Sequence, residues 1–210
     1  MVLKAPPHKQ ERAISTRRQL IAAAREIFVK EGFESARIEQ IAARAGKTRG
    51  AFYANFTDKE DVFFAIFEED MMRDREKVNA ALSAASSQDQ KIDTLARHLS
   101  ELLDDSQRFL LNLEFKMYVI RHPRKQKRLN KLYSEMCVRC SMEKINILLP
   151  DLTGAGMAKR RAMTTEVGAA IDGIALNSMF TPGSISQERR TELLRLVARE
   201  ALHAAESSSR

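Results

Sequence analysis

Apolar residues recur along this chain at intervals of three and four, with no clean alternation of the kind strands show. That spacing lays a stripe along one side of a helix, so an all-α chain is expected. The first stripe is Leu20, Ala24, Ile27 and Phe28, on a helix expected from about Thr16 to Glu31. Ser15 or Thr16 can cap it, and Gly32 can end it. Residues 1–13 ahead of it are polar and read as a flexible tail. Two short helices should follow, Ile38 to Ala45 and Thr48 to Ala54. Beyond them one long helix is expected from about Asp58 to Ala84, capped by Thr57 or Asp58, with Glu60 and Asp61 at its positive end.

The remainder repeats the pattern. Ile92, Leu95, Ala96, Leu99, Leu102 and Leu103 mark one amphipathic helix, and Leu110, Leu113, Met117 and Ile120 the next. Pro123 breaks that helix or starts another, which runs to about Leu149. Residues 150–156 read as a loop. Met163, Val167, Ala170, Ile171 and Ile174 mark the eighth helix, Thr181-Pro182-Gly183 a turn, and Leu193, Leu196, Val197 and Ala201 the ninth. The expected organisation is a tail (1–13), a small N-terminal domain (14–58) and a larger helical domain (59–210).

Chemistry concentrates between residues 38 and 60. A short apolar-faced helix, a turn containing Gly46 and a second short helix capped by Thr48 form the layout of a helix-turn-helix. The first residues of such a second helix meet base edges in a major groove. Arg49 carries the two-pronged donor that suits guanine, and Gly50 lets the backbone come close. Phe52 and Phe56 should face inward. Tyr53 and Asn55 can reach phosphates, and the amides opening the helix at Lys59 can hold another.

These residues resemble the TetR (tetracycline-repressor-like) family. The matching pieces are Gly32-Phe33-Glu34, Ile38-Glu39-Gln40-Ile41-Ala42, Ala45-Gly46, Thr48-Arg49-Gly50-Ala51-Phe52-Tyr53, Asn55-Phe56 and Asp58-Lys59-Glu60. The resemblance implies a nine-helix fold with a three-helix DNA-binding part, a homodimer on a near-palindromic operator, and a larger domain that takes a small effector and thereby releases DNA. It implies phosphate contacts for Thr48, Tyr53, Asn55 and Lys59, and base contacts for Arg49 and Gly50. Two positions depart from the family. Arg37 stands where Ser or Thr often caps the second helix, and a guanidinium cannot accept a hydrogen bond. Ser35 caps a frayed start instead, or Arg37 adds a phosphate contact. Lys47 replaces a small apolar residue and is either a further phosphate contact or simply exposed.

Composition adds bounds. The 210 residues carry a formal charge of +7, and the first 60 hold twelve Lys/Arg against seven Asp/Glu, which suits a polyanionic partner. The longest apolar run, Val62 to Phe67, is far short of the ~20 residues a membrane span needs. The N-terminus has no apolar stretch of a secretion signal, so a cytoplasmic protein with no membrane partner is expected.

In the larger domain, Phe63, Phe64, Phe67, Met71, Phe109, Phe115, Met117, Tyr118, Met136 and Met163 are candidate walls for a small, mostly apolar effector; each is equally a core residue. Gly168, Ala169 and Gly173, with Leu193 and Val197, are candidates for a helix-packed dimer interface. The basic run Arg121 to Arg128 is either a solvated face or a site for an acidic partner. Cys137 and Cys140 lack the companions of a zinc site and read as partly buried thiols. The four scattered histidines (His8, His98, His122 and His203) supply no metal or catalytic constellation, and Glu200-Ala-Leu-His203 lacks the second copy a di-iron site needs. No cofactor, no metal and no enzymatic activity are expected. The alternative to a ligand-responsive repressor is a DNA-binding regulator that senses nothing itself.

Overall fold

The computed structural model describes residues 7–150 and 157–207, and all regular structure among them is helical. The first helix, α1 (Pro7–Glu31), begins nine residues earlier than the apolar stripe suggests. Proline fits a first helical turn, where its missing N–H has no partner to lose. The expected tail of residues 1–13 is therefore helical from residue 7, and residues 1–6 lie outside the described residues. Gly32 ends α1 at φ +81°, a conformation that favours glycine.

Helices α2 (Ile38–Arg44) and α3 (Arg49–Tyr53) follow. The expected long helix is interrupted: α4 (Lys59–Met72) and α5 (Arg75–Ala84) are separated at Arg73 and Asp74. Arg73 bends back onto Asp70 at 2.5 Å and reaches Asp105 at 3.2 Å. Asp74 sits at φ −108°, ψ 13°, outside the helical well. Then come α6 (Gln88–Leu102), α7 (Ser106–Arg121), α8 (Pro123–Leu148), α9 (Met157–Phe180) and α10 (Gln187–Ser207). Counting α4 and α5 as one interrupted helix gives the expected nine among the described residues. Pro123 is the first residue of α8, and its restriction of the residue before it explains the corner at His122.

One core runs from the N-terminal helices into the bundle. Leu20, Ala24 and Phe28 of α1 pack with Ile41, Phe52 and Phe56, and the same cluster continues through Val62, Phe63 and Ile66 of α4 to Phe115, Tyr118 and Leu129. Its centre is aromatic. Phe63 and Phe115 stack with centroids 3.7 Å apart and planes 7° apart, Phe33 stands edge-on to both, and Phe67 tilts against Tyr133 at 5.1 Å. Two further clusters join α5, α6, α8, α9 and α10 around Leu82, Ile145 and Leu202, and α6, α7, α9 and α10 around Ala96, Ile174 and Leu194. No helix among the described residues is long and apolar enough to cross a membrane.

Candidate nucleic-acid interface and cavity

The helix-turn-helix is built by capping and by one glycine. Gly46 turns the chain at φ +64° between α2 and α3. Thr48 Oγ1 accepts the Ala51 N–H at 3.1 Å, the N-cap expected of it. Phe52 and Phe56 are buried beneath α3, as the pattern required. Arg37 provides no side-chain cap for α2, and Ser35 does not replace it. Gln40 reaches back instead and accepts the Arg37 N–H at 2.9 Å, while its amide donates to Glu31 at 3.0 Å. Arg37 is left exposed, and Lys47 is half-buried in the turn.

The outer face of α3 presents Thr48, Arg49, Gly50 and Tyr53. The Arg49 guanidinium is held by Glu39 at 2.9 Å and lies 5.5 Å from the Tyr53 ring centroid; both partners are exposed. An exposed pair of this kind contributes little and is readily exchanged. A Cβ added at Gly50 would meet only Thr48 Oγ1, at 3.8 Å, so nothing inside the protein demands glycine there. Asn55 is half-buried, with its amide on the Ala51 carbonyl at 2.8 Å. Arg17 caps the end of α3 through the Asn55 carbonyl at 3.0 Å and stacks on Phe56 at 4.2 Å.

Lys59 differs from expectation. Its ammonium donates to the carbonyls of Phe33 at 2.8 Å and Glu34 at 2.6 Å, and burial holds its pKa below the usual lysine value. The side chain clasps the α1–α2 loop to α4, so it is not free for a phosphate in this arrangement. The amides of the α4 N-terminus are partly used as well: Asp58 Oδ1 accepts from Asp61 N–H at 2.8 Å.

Beside this clasp the basic run of residues 121–128 finds its partners. Lys125 donates to Glu60 at 2.6 Å and to the Tyr118 hydroxyl at 2.6 Å, and that hydroxyl donates to Glu60 at 2.5 Å. Burial pushes the Glu60 carboxyl up, but the bonds from Lys125 and Tyr118 outweigh it and leave its pKa below the usual range. Arg121 and His122 face Glu34 at 3.4 and 3.6 Å, and Arg128 faces Asp58 at 3.9 Å. Half of this run is thus a strap from the α7–α8 corner to the α1–α2 loop and the start of α4. The charges it meets lie far away in sequence, which hid this role.

Deeper in the bundle, a cavity of about 480 Å³ opens between α4, α6, α7, α8, α9 and α10, with Asp74 of the α4–α5 break on its wall. Of the residues expected to wall it, Phe67, Met71, Phe109 and Met163 do so. Phe63, Phe64, Phe115, Met117, Tyr118 and Met136 do not. Phe63, Phe115 and Tyr118 belong to the buried aromatic core and Met136 is buried elsewhere; Met117 points out to solvent. Periodicity identified an apolar face but not which side of it was hollow. Several wall residues are polar or charged: Asp70, Asp74, Arg108, Lys116, Lys144 and Asp172 are ionisable side chains of either sign, and His98 stands among them. Cys137 lies on the wall too, its pKa raised to about 11 by burial, so it is a neutral thiol. Cys140 is buried as well, and burial raises its pKa too. No group of three His, Cys, Asp or Glu among the described residues could hold a metal.

The candidate interface residues on the last two helices divide. Gly168 and Ala169 line the cavity, and Leu193 packs against the α6–α10 core. Val197 is half-buried. Gly173 is exposed, with open space where a Cβ would go. Near it Leu176 and Phe180 (85% exposed) of α9, with Leu196 of α10, leave apolar side chains uncovered in the protomer. The small-residue pattern gave no sign of these three.

A capped, outward-facing second helix on a helix-turn-helix, joined to a larger helical domain, is the layout of a DNA-binding module with a second domain attached. Residues 20–66 match the sequence profile of bacterial regulatory proteins of the tetR family. The transcriptional repressor AcnR of Corynebacterium efficiens is 33% identical over 69 residues, which are 33% of this chain and 37% of that protein, so the match spans little more than a third of the relative's length. Beyond that segment the likeness is one of fold. A putative tetR-family regulator from Mesorhizobium loti superposes with a TM-score of 0.60 at 19% identity, over 92% of this chain and 98% of its own. The multidrug-binding protein EbrR, solved with ethidium, does so with a TM-score of 0.60 at 24% identity, over 87% and 97%. Residues 20–66 are thus similar to the DNA-binding segment of tetR-family regulators, and the chain as a whole shares the fold of such regulators.

Proposed function

We propose that the protein is a repressor that binds a near-palindromic operator as a homodimer and lets go when a small effector fills the bundle cavity. The observation that carries this reading is the continuity of one core from the cavity wall to the reading head. Phe67 and Tyr133 touch the cavity. They stack onto Phe63 and Phe115, which hold Phe33 in the loop that precedes α2. Close-packed interiors transmit displacement rather than absorb it. An effector that fits only one setting of α4 against α7 shifts the population toward that setting and changes the spacing of the two recognition helices. EbrR's ethidium complex supports a ligand role for such a cavity. In this reading Arg49 exchanges Glu39 for a guanine, Gly50 clears the groove floor, and Thr48, Tyr53 and Asn55, with Arg37 and Lys47 flanking, face phosphates.

The test is selection of bound genomic fragments by the purified protein, followed by salt titration of the operator complex and a screen for release. Affinity should fall steeply with salt as phosphate contacts release counterions. Arg49→Ala should weaken operator binding by ~1–3 kcal/mol and relax preference at one base position per half-site. Equal loss on operator and on random DNA contradicts the base-reading role.

The dimer reading rests on the exposed Gly173, Leu176, Phe180 and Leu196. Because a Cβ at Gly173 meets nothing within the protomer, Gly173→Leu should leave the fold intact and shift the oligomer toward monomer in light scattering at dilute concentration. An unchanged mass moves the interface elsewhere.

A further inference from the structure

The cavity has two polar ends of opposite character. At one, every group is satisfied: Lys116 is paired with Asp172, Asn112 donates to Asp172 at 3.0 Å, and Tyr133 donates to Asn112 at 2.7 Å. At the other, Arg108 from the first turn of α7 and Lys144 from the last turns of α8 meet beside His98 of α6, all three on the cavity wall. Their side chains make no hydrogen bond or ion pair with any described residue.

The surroundings do not neutralise them. Asp70 is engaged on both oxygens by Arg25 at 2.8 Å and on one by Arg73. Arg73 and Asp105 hold each other. Arg75 leans toward Glu143 at 3.9 Å and, with Lys77, adds positive field. Asp74 is the remaining nearby carboxylate, beyond ion-pair distance of both cations. Burial lowers the pKa of Arg108 and of Lys144, and it lowers His98 to about 4 with Lys144 and Arg108 contributing, so the imidazole is neutral at neutral pH. Two desolvated cations facing one distant carboxylate leave a surplus positive charge at the edge of a hydrophobic space. Buried charges are ordinarily paired. Leu99, Leu102, Ile145, Met163, Val167 and Ile171 form the apolar remainder of the wall.

We propose that the effector is an anionic amphiphile: a carboxylate or similar anion seated between Arg108 and Lys144, with His98 as a neutral hydrogen-bonding neighbour and an aliphatic or aromatic body along the apolar wall. This rests on the sensor reading above and sharpens it, since apolar fit alone would accept neutral and cationic molecules equally. The head group lies beneath the α4–α5 break. There Asp70 holds Arg25 of α1, so the anion arrives next to a direct ionic link to the DNA-reading unit.

Calorimetric titration of the full chain with decanoate, decanol and decyltrimethylammonium, each below its micellar concentration, tests this. Charge-assisted hydrogen bonds are worth ~1.5–3 kcal/mol, so decanoate should bind roughly ten- to hundredfold more tightly than decanol, and the cation most weakly. Arg108→Met with Lys144→Met should abolish the gap between acid and alcohol while keeping decanol binding. Lys144→Arg should keep the gap. The double variant should melt no lower than the wild type, because it removes charges that have no partner. Decanol or the cation binding as tightly as decanoate, a gap that survives the double substitution, or no decanoate binding at all overturns the proposal. Operator binding is measured separately. A protein that holds operator but ignores decanoate loses only the ligand assignment; one that takes decanoate but holds no DNA loses the repressor reading and keeps the anion site.

Discussion

Phe115→Ala should destabilise the protein by about 3–5 kcal/mol, the range for removing a large side chain from a core that cannot collapse around the gap. Phe115 is buried and lies flat against Phe63 at 3.7 Å, with Phe33 and Phe64 edge-on at 5.3 and 5.4 Å. Five rings, Phe33, Phe63, Phe64, Tyr118 and Tyr133, would border the void, and each is pinned by its own backbone, so relaxation is limited. Urea denaturation followed by far-ultraviolet circular dichroism measures the loss. Phe115→Leu, which keeps much of the volume, should cost markedly less. A loss under about 1 kcal/mol would mean that α7 is not wedged against α4 as described.

Lys125→Met should cost about 2 kcal/mol. Removing one partner of a buried pair strands the other, at about 3–5 kcal/mol when both are enclosed. Here Glu60 is enclosed, whereas Lys125 is half exposed and partly screened, so the lower figure applies. Tyr118 continues to donate to Glu60, which also limits the loss. The effect has a pH signature. The pKa of Glu60 in the folded protein lies below its ordinary 4.5, so its stabilisation is full above that value and fades as the pH falls through the lower one. Wild type and variant should therefore converge in acid. Parallel denaturation curves with a constant gap down to strongly acid pH would remove Glu60 from the account.

The DNA-reading unit was legible because its determinants are local. The turn glycine, the threonine cap and the i, i+3, i+4 stripe of Ile38, Ile41 and Ala42 all act within a few residues of themselves. What escaped was long-range. Lys59 looked like a phosphate ligand because lysines at helix starts are suited to that. Its actual partners, the carbonyls of Phe33 and Glu34, come from a loop that only tertiary folding brings near. Arg108 and Lys144 drew no attention in the sequence, since their significance lies in meeting each other across two antiparallel helices. The same limit explains the cavity. A helical stripe such as Leu110, Leu113, Met117 and Ile120 reports amphipathicity, yet Phe109 faces the hollow and Met117 faces water. The break at Arg73 and Asp74 was hidden because both residues are ordinary helix occupants, and only Asp70 and Asp105 pull the chain out of line.

The chain contains no tryptophan and three tyrosines. Tyr53 stands on the outer face of α3, Tyr118 in the hydrogen-bonded clasp with Glu60 and Lys125, and Tyr133 at the cavity wall. The molecule therefore carries its own optical labels, one on α3, one in the clasp and one at the cavity wall. Two Tyr→Phe exchanges at a time leave a single emitter, and its native ultraviolet emission reports one station without any attached dye. Stopped-flow traces from the three emitters would give the order in which the stations respond, a chronology that equilibrium titration does not contain.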